Sequence, residues 1–453
     1  MQVNGFSPLS VAPATRFTTC RYPPNRCGTR LKSASRVKWI ELSHPSGRLR
    51  GRIEVPGSKS ETNRLQILKA LYLPKLELRN PSQSRDSLVL ADILRAYREQ
   101  SSLDAEDAGT AMRFATAFLA GRVGEWTLNG SARMRERPIR ILVDALRTLG
   151  AQIDYLEKAG FPPLRIRGSA LKSEPLAVDG SVSSQYISAL MMIGPSLPEG
   201  LELTLRGFSV STPYIYLTAR LMRGLGLEVD LAGDRIYLPP KKEASASPLK
   251  WSVEPDWTAA SYWFAQVLLA TEAEIYLPGF QQHSLQGDSF VAQLFAPLGV
   301  EAHFIGPGFR LRKGDAVNPP RELNLVHNPD LAQTLSVVYA AQAWPLEIKG
   351  LQTLRIKETD RLQALQTELA RCGVPVSING NSLQLKGAPF KCSNPRFLTY
   401  GDHRMALALA PLALRQKIRL AEPGVIEKSY GTYWRDLQKV GFDLRFIDAA
   451  QST

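Results

Sequence analysis

The stretch RPIRILVDALRTLGAQIDY (residues 137–155) contains an amphipathic helix pattern, then Gly150, then the alternation of a strand. A glycine just past a helix end adopts the left-handed conformation that closes the helix. The same order recurs in four later stretches, whose glycines are Gly226, Gly299, Gly373 and Gly441. Because successive glycines are 76, 73, 74 and 68 residues apart, the pattern predicts a repeated unit that mixes helices and strands.

The stretch RDSLVLADILRAYREQSSLD (residues 85–104) has the character of a degenerate first copy. With it, the chain contains six units of roughly seventy residues each. Each unit combines helices with strands, so the sequence predicts a fold of the α/β (α+β) class. At 453 residues the chain is too long for one ordinary core, and two domains are expected.

A second set of helix patterns alternates with the first. These helices begin at GSKSETNR, EDAGTAMR, GSVSSQY, EPDWTAA, HNPDLAQ and YGDHRMA. Their first residues are typical of N-caps, and the apolar residues that follow predict buried helices. A helix N-terminus carries unpaired N–H groups and a partial positive charge. If several of these N-termini converge, they form a strong anion site.

Cations accompany these helix starts. They are Lys59, Arg64, Arg113, Arg133, Arg137, Lys357, Arg361, Arg404 and Lys428. Any one of them, taken alone, is more often a surface charge or a structural ion pair. Arginine binds phosphate and carboxylate groups with two parallel hydrogen bonds, and lysine binds them as a point charge. Their repeated placement therefore predicts polyanionic substrates.

Acidic residues lie among the cations. In LRIKETDRLQAL (residues 354–365), Glu358 and Asp360 lie between Lys357 and Arg361, and Asp330 opens another apolar helix. We interpret Asp360 as an N-cap. A carboxyl group whose pKa is lowered by cations and raised by burial can act as an acid or a base. Glu358 and Asp330 are the candidates for that role.

Composition excludes several other classes. The net charge is +14, and removing the first 40 residues, which contain seven cations and no acid, leaves +7. No dense basic stripe with interleaved aromatic residues is present, so no nucleic-acid partner is expected. The longest apolar run, residues 405–414, is too short to span a membrane. The four cysteines and five histidines do not cluster, so we expect no metal site and a reducing, cytoplasmic location.

Residues 1–37 are rich in Pro, Ser, Thr and Arg and lack periodicity. We interpret them as a disordered tail or as the product of a start codon placed too far upstream. The alternative is an organelle transit peptide, since such peptides are rich in Arg and Ser and poor in acids.

From about residue 39 to about residue 446 the sequence resembles the EPSP synthase family. The resemblance rests on PGSKSETNR, DAGTAMRF, RMRERPI, GSVSSQY, STPYI, SLQGD, NPD, RIKETDRL and YGDHRMALA, which occur in the family's order. It implies transfer of the enolpyruvyl group of phosphoenolpyruvate to the 5-hydroxyl of shikimate 3-phosphate through a tetrahedral intermediate, without a metal or organic cofactor. It also implies a monomer that is a target of glyphosate.

The resemblance implies two similar domains, each of three βαβαββ-type units, that close around a cleft. One domain would be residues 58–254. The other would combine residues 38–57 with residues 255–447.

The resemblance also assigns the ligands. Shikimate 3-phosphate would be bound by Lys59, Ser60, Arg64, Ser183, Ser184, Gln185, Ser211, Tyr214, Asp330, Thr353 and Lys357. Phosphoenolpyruvate would be bound by Lys59, Gly109, Arg133, Gln185, Arg361, Arg404 and Lys428. We expect Asp330 to be the base on the 5-hydroxyl, Glu358 to exchange the proton at C3, and Lys59 to stabilise the intermediate's negative charge.

Three residues depart from the family pattern. The family often has Asn at the positions of Asp107 and Thr353, and commonly Pro at the position of Phe114. We expect Asp107 to pair with a neighbouring arginine. Gly109 with Thr110 predicts sensitivity to glyphosate, which competes with phosphoenolpyruvate, whereas Phe114 argues against it.

Two alternatives remain. A UDP-N-acetylglucosamine enolpyruvyl transferase would have a Cys in the loop before its RP motif, and none lies between Arg113 and Pro138. A non-catalytic anion-binding protein would not need acids among its cations, so Asp330 and Glu358 argue against it.

Overall fold

The computed structural model describes residues 37–180, 183–207, 212–241, 250–316, 318–393 and 395–448. The predicted tail, except for its last residue, lies outside the described residues.

Thirteen α-helices lie within the described residues: α1 (Lys59–Tyr72), α2 (Arg85–Ala96), α3 (Gly109–Ala120), α4 (Ala132–Arg135), α5 (Arg140–Thr148), α6 (Ser184–Ile193), α7 (Thr212–Gly224), α8 (Trp257–Leu269), α9 (Val291–Phe295), α10 (Ala332–Ala341), α11 (Arg361–Ala370), α12 (His403–Leu409) and α13 (Tyr433–Lys439). Short 3-10 helices cover Gly194–Ser196, Gly287–Phe290, Ala296–Leu298, Pro329–Leu331, Gln352–Ile356, Ala410–Leu414 and Pro423–Lys428.

Twenty-two strands accompany these helices in the same part of the chain: β1 (Val37–Ser43), β2 (Arg48–Arg52), β3 (Glu77–Arg79), β4 (Ser102–Asp104), β5 (Gly124–Asn129), β6 (Gln152–Tyr155), β7 (Leu164–Gly168), β8 (Leu176–Asp179), β9 (Leu201–Arg206), β10 (Asp230–Ala232), β11 (Arg235–Leu238), β12 (Lys250–Ser252), β13 (Glu272–Pro278), β14 (Val300–Phe304), β15 (Gly308–Lys313), β16 (Glu322–Asn324), β17 (Pro345–Lys349), β18 (Val376–Asn379), β19 (Ser382–Lys386), β20 (Arg396–Phe397), β21 (Ile418–Ala421) and β22 (Asp443–Asp448).

The strands of the described ranges form five four-stranded sheets and one two-stranded sheet. In the sheet β4-β5-β7-β6, β4 and β5 are parallel, and the other two pairs are antiparallel. The sheets β8-β9-β11-β10, β2-β13-β15-β14, β16-β17-β19-β18 and β20-β21-β1-β22 repeat this order. The two-stranded sheet pairs β3 with β12 in parallel. The predicted α/β (α+β) repeat is therefore confirmed.

The repeated glycines take the conformation that the sequence predicts. Each follows a helix and precedes a strand, with a positive φ angle: Gly150 95°, Gly226 80°, Gly299 91°, Gly373 76° and Gly441 96°. A residue with a Cβ is strained in this region, so glycine is what lets each chain segment turn from helix to strand.

Two separate hydrophobic cores occur in the described residues. The first core is built from residues 65–253. The second core is built from residues 40–55 together with residues 257–442. Where the chain passes between them, Gly57 and Pro255 form an antiparallel bridge. A Cβ on Gly57 would lie 1.9 Å from the carbonyl oxygen of Asn80, so the close passage needs glycine at this position.

No helix in the described part of the chain is long and apolar enough to cross a membrane.

Candidate active site

A cavity lies where helix N-termini from both cores meet. Its lining includes residues from the first turns of α1, α3, α6, α11 and α12, namely Lys59, Ser60, Gly109, Thr110, Ser184, Arg361, His403 and Arg404. Asp330, in the short helix before α10, reaches the same cavity. The structure therefore brings together the helix starts that the sequence singled out, except that of α8.

The second set of helices predicted from the sequence corresponds to α1, α3, α6, α8, α10 and α12, and side chains cap four of these six. Ser58, Ser183, Asp256 and Asp402 each accept a hydrogen bond from a backbone N–H in the first turn of α1, α6, α8 and α12. The predicted capping is wrong for α3 and α10. α3 follows Ala108, which has no polar side chain, and a 3-10 turn takes the place of the cap before α10. The N–H groups at the start of α3 therefore remain available to an anion in the cavity.

Arg64 contributes a buried cation from the first core. Its guanidinium donates from Nε to Thr218 Oγ1 at 2.7 Å, from Nη2 to Ser188 Oγ at 3.0 Å and from Nη1 to the carbonyl oxygen of Ser60 at 2.9 Å. It pairs with no carboxylate in the described residues. Burial lowers the pKa of Arg64 to about 10, so the group is still charged at neutral pH.

Aromatic rings flank the same guanidinium. Its central carbon lies 5.5 Å from the ring centre of Phe114 and 5.8 Å from that of Tyr214. The faces of aromatic rings attract cations, and the attraction is stronger when water is excluded. Phe114, the departure from the family pattern, thus contacts a residue assigned to shikimate 3-phosphate.

Arg113 and Arg137 extend this set of cations. Arg113 donates to the carbonyl oxygens of Gly109 at 3.3 Å and Pro138 at 2.9 Å, and burial lowers its pKa to about 10. Arg137 is buried and its Nε has no hydrogen-bond partner within the described structure. A Cβ on Gly109 would lie 2.7 Å from Nη1 of Arg137. Glycine at this position therefore lets the guanidinium approach the start of α3.

Arg361, in the second core, is surrounded by carboxylates. It donates from Nε to Asp402 Oδ2 at 2.7 Å, from Nη1 to Asp330 Oδ1 at 2.8 Å and from Nη2 to Glu358 Oε2 at 2.8 Å. Its side chain is 1% exposed. Burial opposes its charge, but the three carboxylates outweigh burial and raise the pKa of Arg361 above its ordinary value.

Asp330 is held by three cations. Besides Arg361, its carboxylate accepts from Arg404 Nη2 at 2.9 Å and lies 3.8 Å from Lys357 Nζ. Burial favours the protonated form, but the cations outweigh burial and hold the pKa of Asp330 far below its usual range. Burial also lowers the pKa of Lys357, against the attraction of the carboxylate.

Glu358 faces the cavity between Arg361 and Lys428, whose Nζ lies 3.6 Å from Oε1. Burial raises its pKa, but these two cations, with Arg137, hold the pKa of Glu358 well below its usual range. Asp330 and Glu358 are therefore ionised and paired with cations when no ligand is present.

Lys59 and His403 complete the lining. Lys59 Nζ donates to the buried carboxylate of Asp86 at 3.0 Å. His403 is buried, and neither ring nitrogen has a hydrogen-bond partner in the described part of the chain. Burial first, and then the charges of Lys59 and Arg404, hold the pKa of His403 well below its usual range, so its ring is neutral.

The structure brings together most of the predicted site residues. The cavity is lined by Lys59, Ser60, Arg64, Gly109, Ser183, Ser184, Gln185, Tyr214, Asp330, Thr353, Lys357, Glu358, Arg361 and Arg404. Arg133 and Lys428 line a second cavity, which shares Arg137 and Glu358 with the first. Ser211 lies outside the described residues. Within the described ranges no group of three His, Cys, Asp or Glu side chains is arranged to hold a metal ion.

Other lining residues were not assigned to a substrate, although the sequence had singled out Arg113 and Arg137 as cations and Thr110 for glyphosate sensitivity. They are Asp86, Thr110, Arg113, Arg137, Ile356, Pro329, Pro138, Tyr186 and His403. For Arg137 the motif RMRERP gave a signal, but it offered three arginines at alternate positions. α4 ends at Arg135, so Arg137 lies beyond the helix and lines both cavities, whereas Arg133 lies on the helix and lines the second cavity.

The other two departures also have a place in the structure. Asp107 accepts a hydrogen bond from Ser131 Oγ and pairs with no arginine among the described residues, so the predicted ion pair is wrong. The hydroxyl of Ser131, 24 residues further along the chain, is the partner of this carboxylate. Thr353 lines the cavity with a buried Oγ1 that has no hydrogen-bond partner within the described structure.

Comparison with known proteins agrees with this architecture. Solved structures of similar fold include EPSP synthase from Acinetobacter baumannii, with a TM-score of 0.71 and 18% identity over 90% of this chain and 100% of that one. At this identity the likeness shows the fold, which is that of the enolpyruvyl transferases.

Sequence comparison is more specific. The family model described as EPSP synthase (3-phosphoshikimate 1-carboxyvinyltransferase) matches residues 43–107 and 96–437. A 3-phosphoshikimate 1-carboxyvinyltransferase of Bacteroides fragilis (strain YCH46) is 44% identical over 89% of this chain and 98% of its own length. The enzyme of that name from Psychromonas ingrahamii is 33% identical over 88% of this chain and 99% of its own. The chain belongs to the EPSP synthase family, and the predicted family and enzyme class are confirmed.

Proposed function

We propose that the protein transfers the enolpyruvyl group of phosphoenolpyruvate to the 5-hydroxyl of shikimate 3-phosphate and releases phosphate. One observation carries this proposal: a cavity between two cores combines cations that lack carboxylate partners with carboxylates that are held by cations. The first kind of group suits anionic substrates, and the second kind suits proton transfer. Membership of the EPSP synthase family supports the same reaction.

Shikimate 3-phosphate would bind against the first core. Arg64 offers a charge that no carboxylate of the described residues neutralises, and Ser183 and Ser184 add hydroxyls at the start of α6. A phosphate at this place would accept hydrogen bonds from a helix N-terminus and from a guanidinium. Tyr214 and Gln185 line the same part of the cavity.

Phosphoenolpyruvate would bind between the two cores. Gly109 and Arg137 line this part of the site from the first core, and Lys428 and Arg404 line it from the second. Arg133, the residue assigned from the sequence, lines the second cavity together with Arg137, and both would contribute a cation here. Lys59 reaches the cavity at the junction of the two substrates and would stabilise negative charge on the intermediate.

Asp330 and Glu358 would carry the protons. The 5-hydroxyl loses its proton to Asp330 as its oxygen bonds to C2 of phosphoenolpyruvate, while C3 gains a proton through Glu358. The C2–O bond to phosphate then breaks as C3 returns a proton. The pKa values of both carboxyls lie too low for this in the absence of ligand. Anionic substrates that compete for the surrounding cations would raise both pKa values toward the range that general acid–base catalysis needs.

The proposal also covers the domain organisation, the oligomeric state and the location of the protein. Residues 58–254 would form one domain, and residues 38–57 with 255–447 the other, which the two cores and the bridge at Gly57 and Pro255 support. The protein would act as a monomer in the cytoplasm on small molecules, with neither nucleic acid nor membrane as partner. Sedimentation velocity with and without substrates would test the monomer.

Phosphate release tests the reaction. The purified protein would be given each substrate alone and then both together, with Glu358→Gln as the paired variant. We expect release only with both substrates and a loss of roughly a hundredfold or more in the variant, since general acid–base groups contribute ~10²–10⁴-fold. Absence of release from folded wild-type protein would refute the proposal. Full activity in the variant would refute the role of Glu358.

A further inference from the structure

Two cysteines meet at the C-terminal end of α11. Cys372 lies just beyond this helix and is fully buried, whereas Cys392 is partly exposed and packs against the same core. The N–H group of Lys391 donates to the carbonyl oxygen of Cys372 at 2.8 Å. The sulfur of Cys392 lies 4.0 Å from the carbonyl oxygen of Arg371. The two segments of backbone that carry the thiols are therefore adjacent.

The two thiol groups also interact with each other. Burial first, and then a hydrogen bond with the thiol of Cys392, raise the pKa of Cys372 above its ordinary value. Both cysteines are free thiols in the structure. A disulfide requires two Cβ atoms that face each other across a short gap. Interacting thiols on adjacent segments are the arrangement from which this bond forms with little movement of the backbone.

We propose that Cys372 and Cys392 are a reversible thiol–disulfide pair, which a small external disulfide oxidises and which then fastens the chain before residues 395–400 to the end of α11. We call residues 395–400 the 395–400 segment. The inference goes beyond the proposed reaction and does not depend on it. In a reducing compartment the pair would stay reduced, and it would become oxidised when small disulfides accumulate.

The chemistry is two successive thiol–disulfide exchanges. The sulfur of Cys392, which solvent reaches, attacks one sulfur of the external disulfide, whose S–S bond breaks. One thiol leaves with the proton from Cys392, and a mixed disulfide remains on Cys392. The sulfur of Cys372 then loses its proton and attacks Cys392 Sγ, and the second thiol leaves with that proton. Two cysteine thiols are thus oxidised, and one external disulfide is reduced to two thiols.

The new bond would add a third link between α11 and the chain that follows its hairpin. At the start of the helix, Arg361 donates to Asp402 at 2.7 Å. In the middle, the buried carboxylate of Glu368 accepts from the N–H group of Leu398 at 3.2 Å and from the hydroxyl of Tyr400 at 2.6 Å. The disulfide would supply the corresponding link at the end of the helix.

The 395–400 segment is a place where such a link has an effect. It contains β20, which is two residues long and lies at the edge of its sheet beside β21. Segments with few backbone hydrogen bonds open locally at low cost. Tyr400 and Gly401, at the end of the segment, line the second cavity. A bond at Cys392 would therefore restrain one wall of that cavity.

Peptide mapping decides whether the bond forms. Trypsin cleaves after Arg371 and Lys391, so Cys372 and Cys392 fall in separate peptides. After folded wild-type protein is incubated with oxidised glutathione, we expect these two peptides to be joined and dithiothreitol to separate them. The map also identifies any partner of Cys20 and Cys27, which lie outside the described residues. Absence of the joined peptides, whether Cys392 carries glutathione or stays unreacted, would overturn the inference.

Single variants test the order of the two exchanges. In Cys372→Ala we expect glutathione to remain on Cys392, because no second thiol displaces it. In Cys392→Ala the thiol of Cys372 should stay unmodified in the folded protein, since it is buried. Modification of Cys372 in Cys392→Ala as fast as that of Cys392 in Cys372→Ala would contradict the order.

Thermal unfolding and hydrogen–deuterium exchange test the mechanical effect. A disulfide restricts the unfolded chain, so oxidised wild type should melt a few degrees above reduced wild type. The amides of the 395–400 segment should exchange more slowly in the oxidised protein. Cys392→Ala given the same oxidant is the matched control and should show neither change. Equal exchange of these amides in oxidised and reduced wild type would overturn the proposed link.

Discussion

Arg64 and Arg361 are buried arginines beside the same cavity, yet their surroundings are opposite. Arg64, in the first core, is held by hydroxyls, a carbonyl oxygen and two aromatic rings, and burial lowers its pKa to about 10. Arg361, in the second core, donates to three carboxylates that raise its pKa above the ordinary value.

This difference separates two tasks. A buried cation without a carboxylate costs stability, so its charge is available to a ligand. A cation enclosed by carboxylates stabilises the unliganded protein but is already neutralised. A substrate must compete with Asp330 and Glu358 for it, and that competition is what would shift their pKa values. In the proposed reaction the first core would therefore serve mainly for binding, and the second for proton transfer.

The largest effect should follow removal of Arg361. Arg361→Ala leaves Asp402, which is fully buried, together with Asp330 and Glu358, without their shared partner. Breaking a buried pair in this way costs about 3–5 kcal/mol. Urea unfolding would measure the loss, with the exposed Arg355→Ala as the control that should change stability by less than ~1 kcal/mol. A similarly small loss for Arg361→Ala would contradict the account.

Removal of Arg64 should have the opposite effect: it should weaken substrate binding without lowering stability. Arg64→Met replaces an uncompensated buried cation by an apolar side chain, so the free energy of unfolding should hold steady or rise. The KM for shikimate 3-phosphate should rise roughly tenfold to hundredfold, since hydrogen bonds to a charged group contribute ~1.5–3 kcal/mol. Steady-state kinetics and urea unfolding of the same preparation would check both. A large loss of stability with an unchanged KM would contradict this, because it would show that Arg64 serves stability, as Arg361 does, and not binding.

Acid should weaken the second core in particular. The pKa of Asp330 is lowered in the folded protein, so its ion pairs stabilise the fold above the unfolded-state pKa and are lost as the pH falls. Between pH 7 and pH 3, wild type should lose about 1 kcal/mol more than Asp330→Asn. Urea unfolding at both pH values measures the difference. Asp92→Asn, which removes an exposed carboxylate, is the control and should lose as much stability between the two pH values as wild type. An equal loss of stability in all three proteins would contradict the role given to the ion pairs of Asp330.

The smallest effect concerns Phe114. Phe114→Leu removes the ring beside Arg64, and a cation–π contact contributes ~0.5–2 kcal/mol. We expect the KM for shikimate 3-phosphate to rise a few-fold, with the KM for phosphoenolpyruvate unchanged. Phe118→Leu is the control, because it removes another buried ring of α3 that faces Arg122. Equal kinetics in the two variants would show that the ring beside Arg64 does not matter.

The local sequence was sufficient to predict the repeated unit and the starts of the buried helices. Gly150 and its four counterparts have the predicted positive φ because closing a helix is a local matter of sterics. The convergence of helix N-termini followed from their shared pattern. The prediction of a side-chain cap was wrong for α3, because the residue directly before this helix is Ala108, which has no polar side chain.

Contacts between distant segments could not be predicted in this way. The pair of Arg361 with Asp402 joins residues 41 apart in the chain, and GDHRMA by itself indicated only a helix cap. Arg133 reaches carbonyl oxygens more than 200 residues away, with a separation of 224 for Lys357. A backbone carbonyl oxygen is present in every residue, so the residue type at a position cannot indicate that its carbonyl will accept such a hydrogen bond.

The most direct test of the two-core account is calorimetric titration of each substrate alone into the protein. We predict that shikimate 3-phosphate binds by itself, because Arg64 needs no described ion pair to be broken, and that Arg64→Met weakens this binding roughly tenfold to hundredfold. Phosphoenolpyruvate alone should bind more weakly, since it has to compete with Asp330 and Glu358. Tighter binding of phosphoenolpyruvate alone, or undiminished binding of shikimate 3-phosphate to Arg64→Met, would contradict the account.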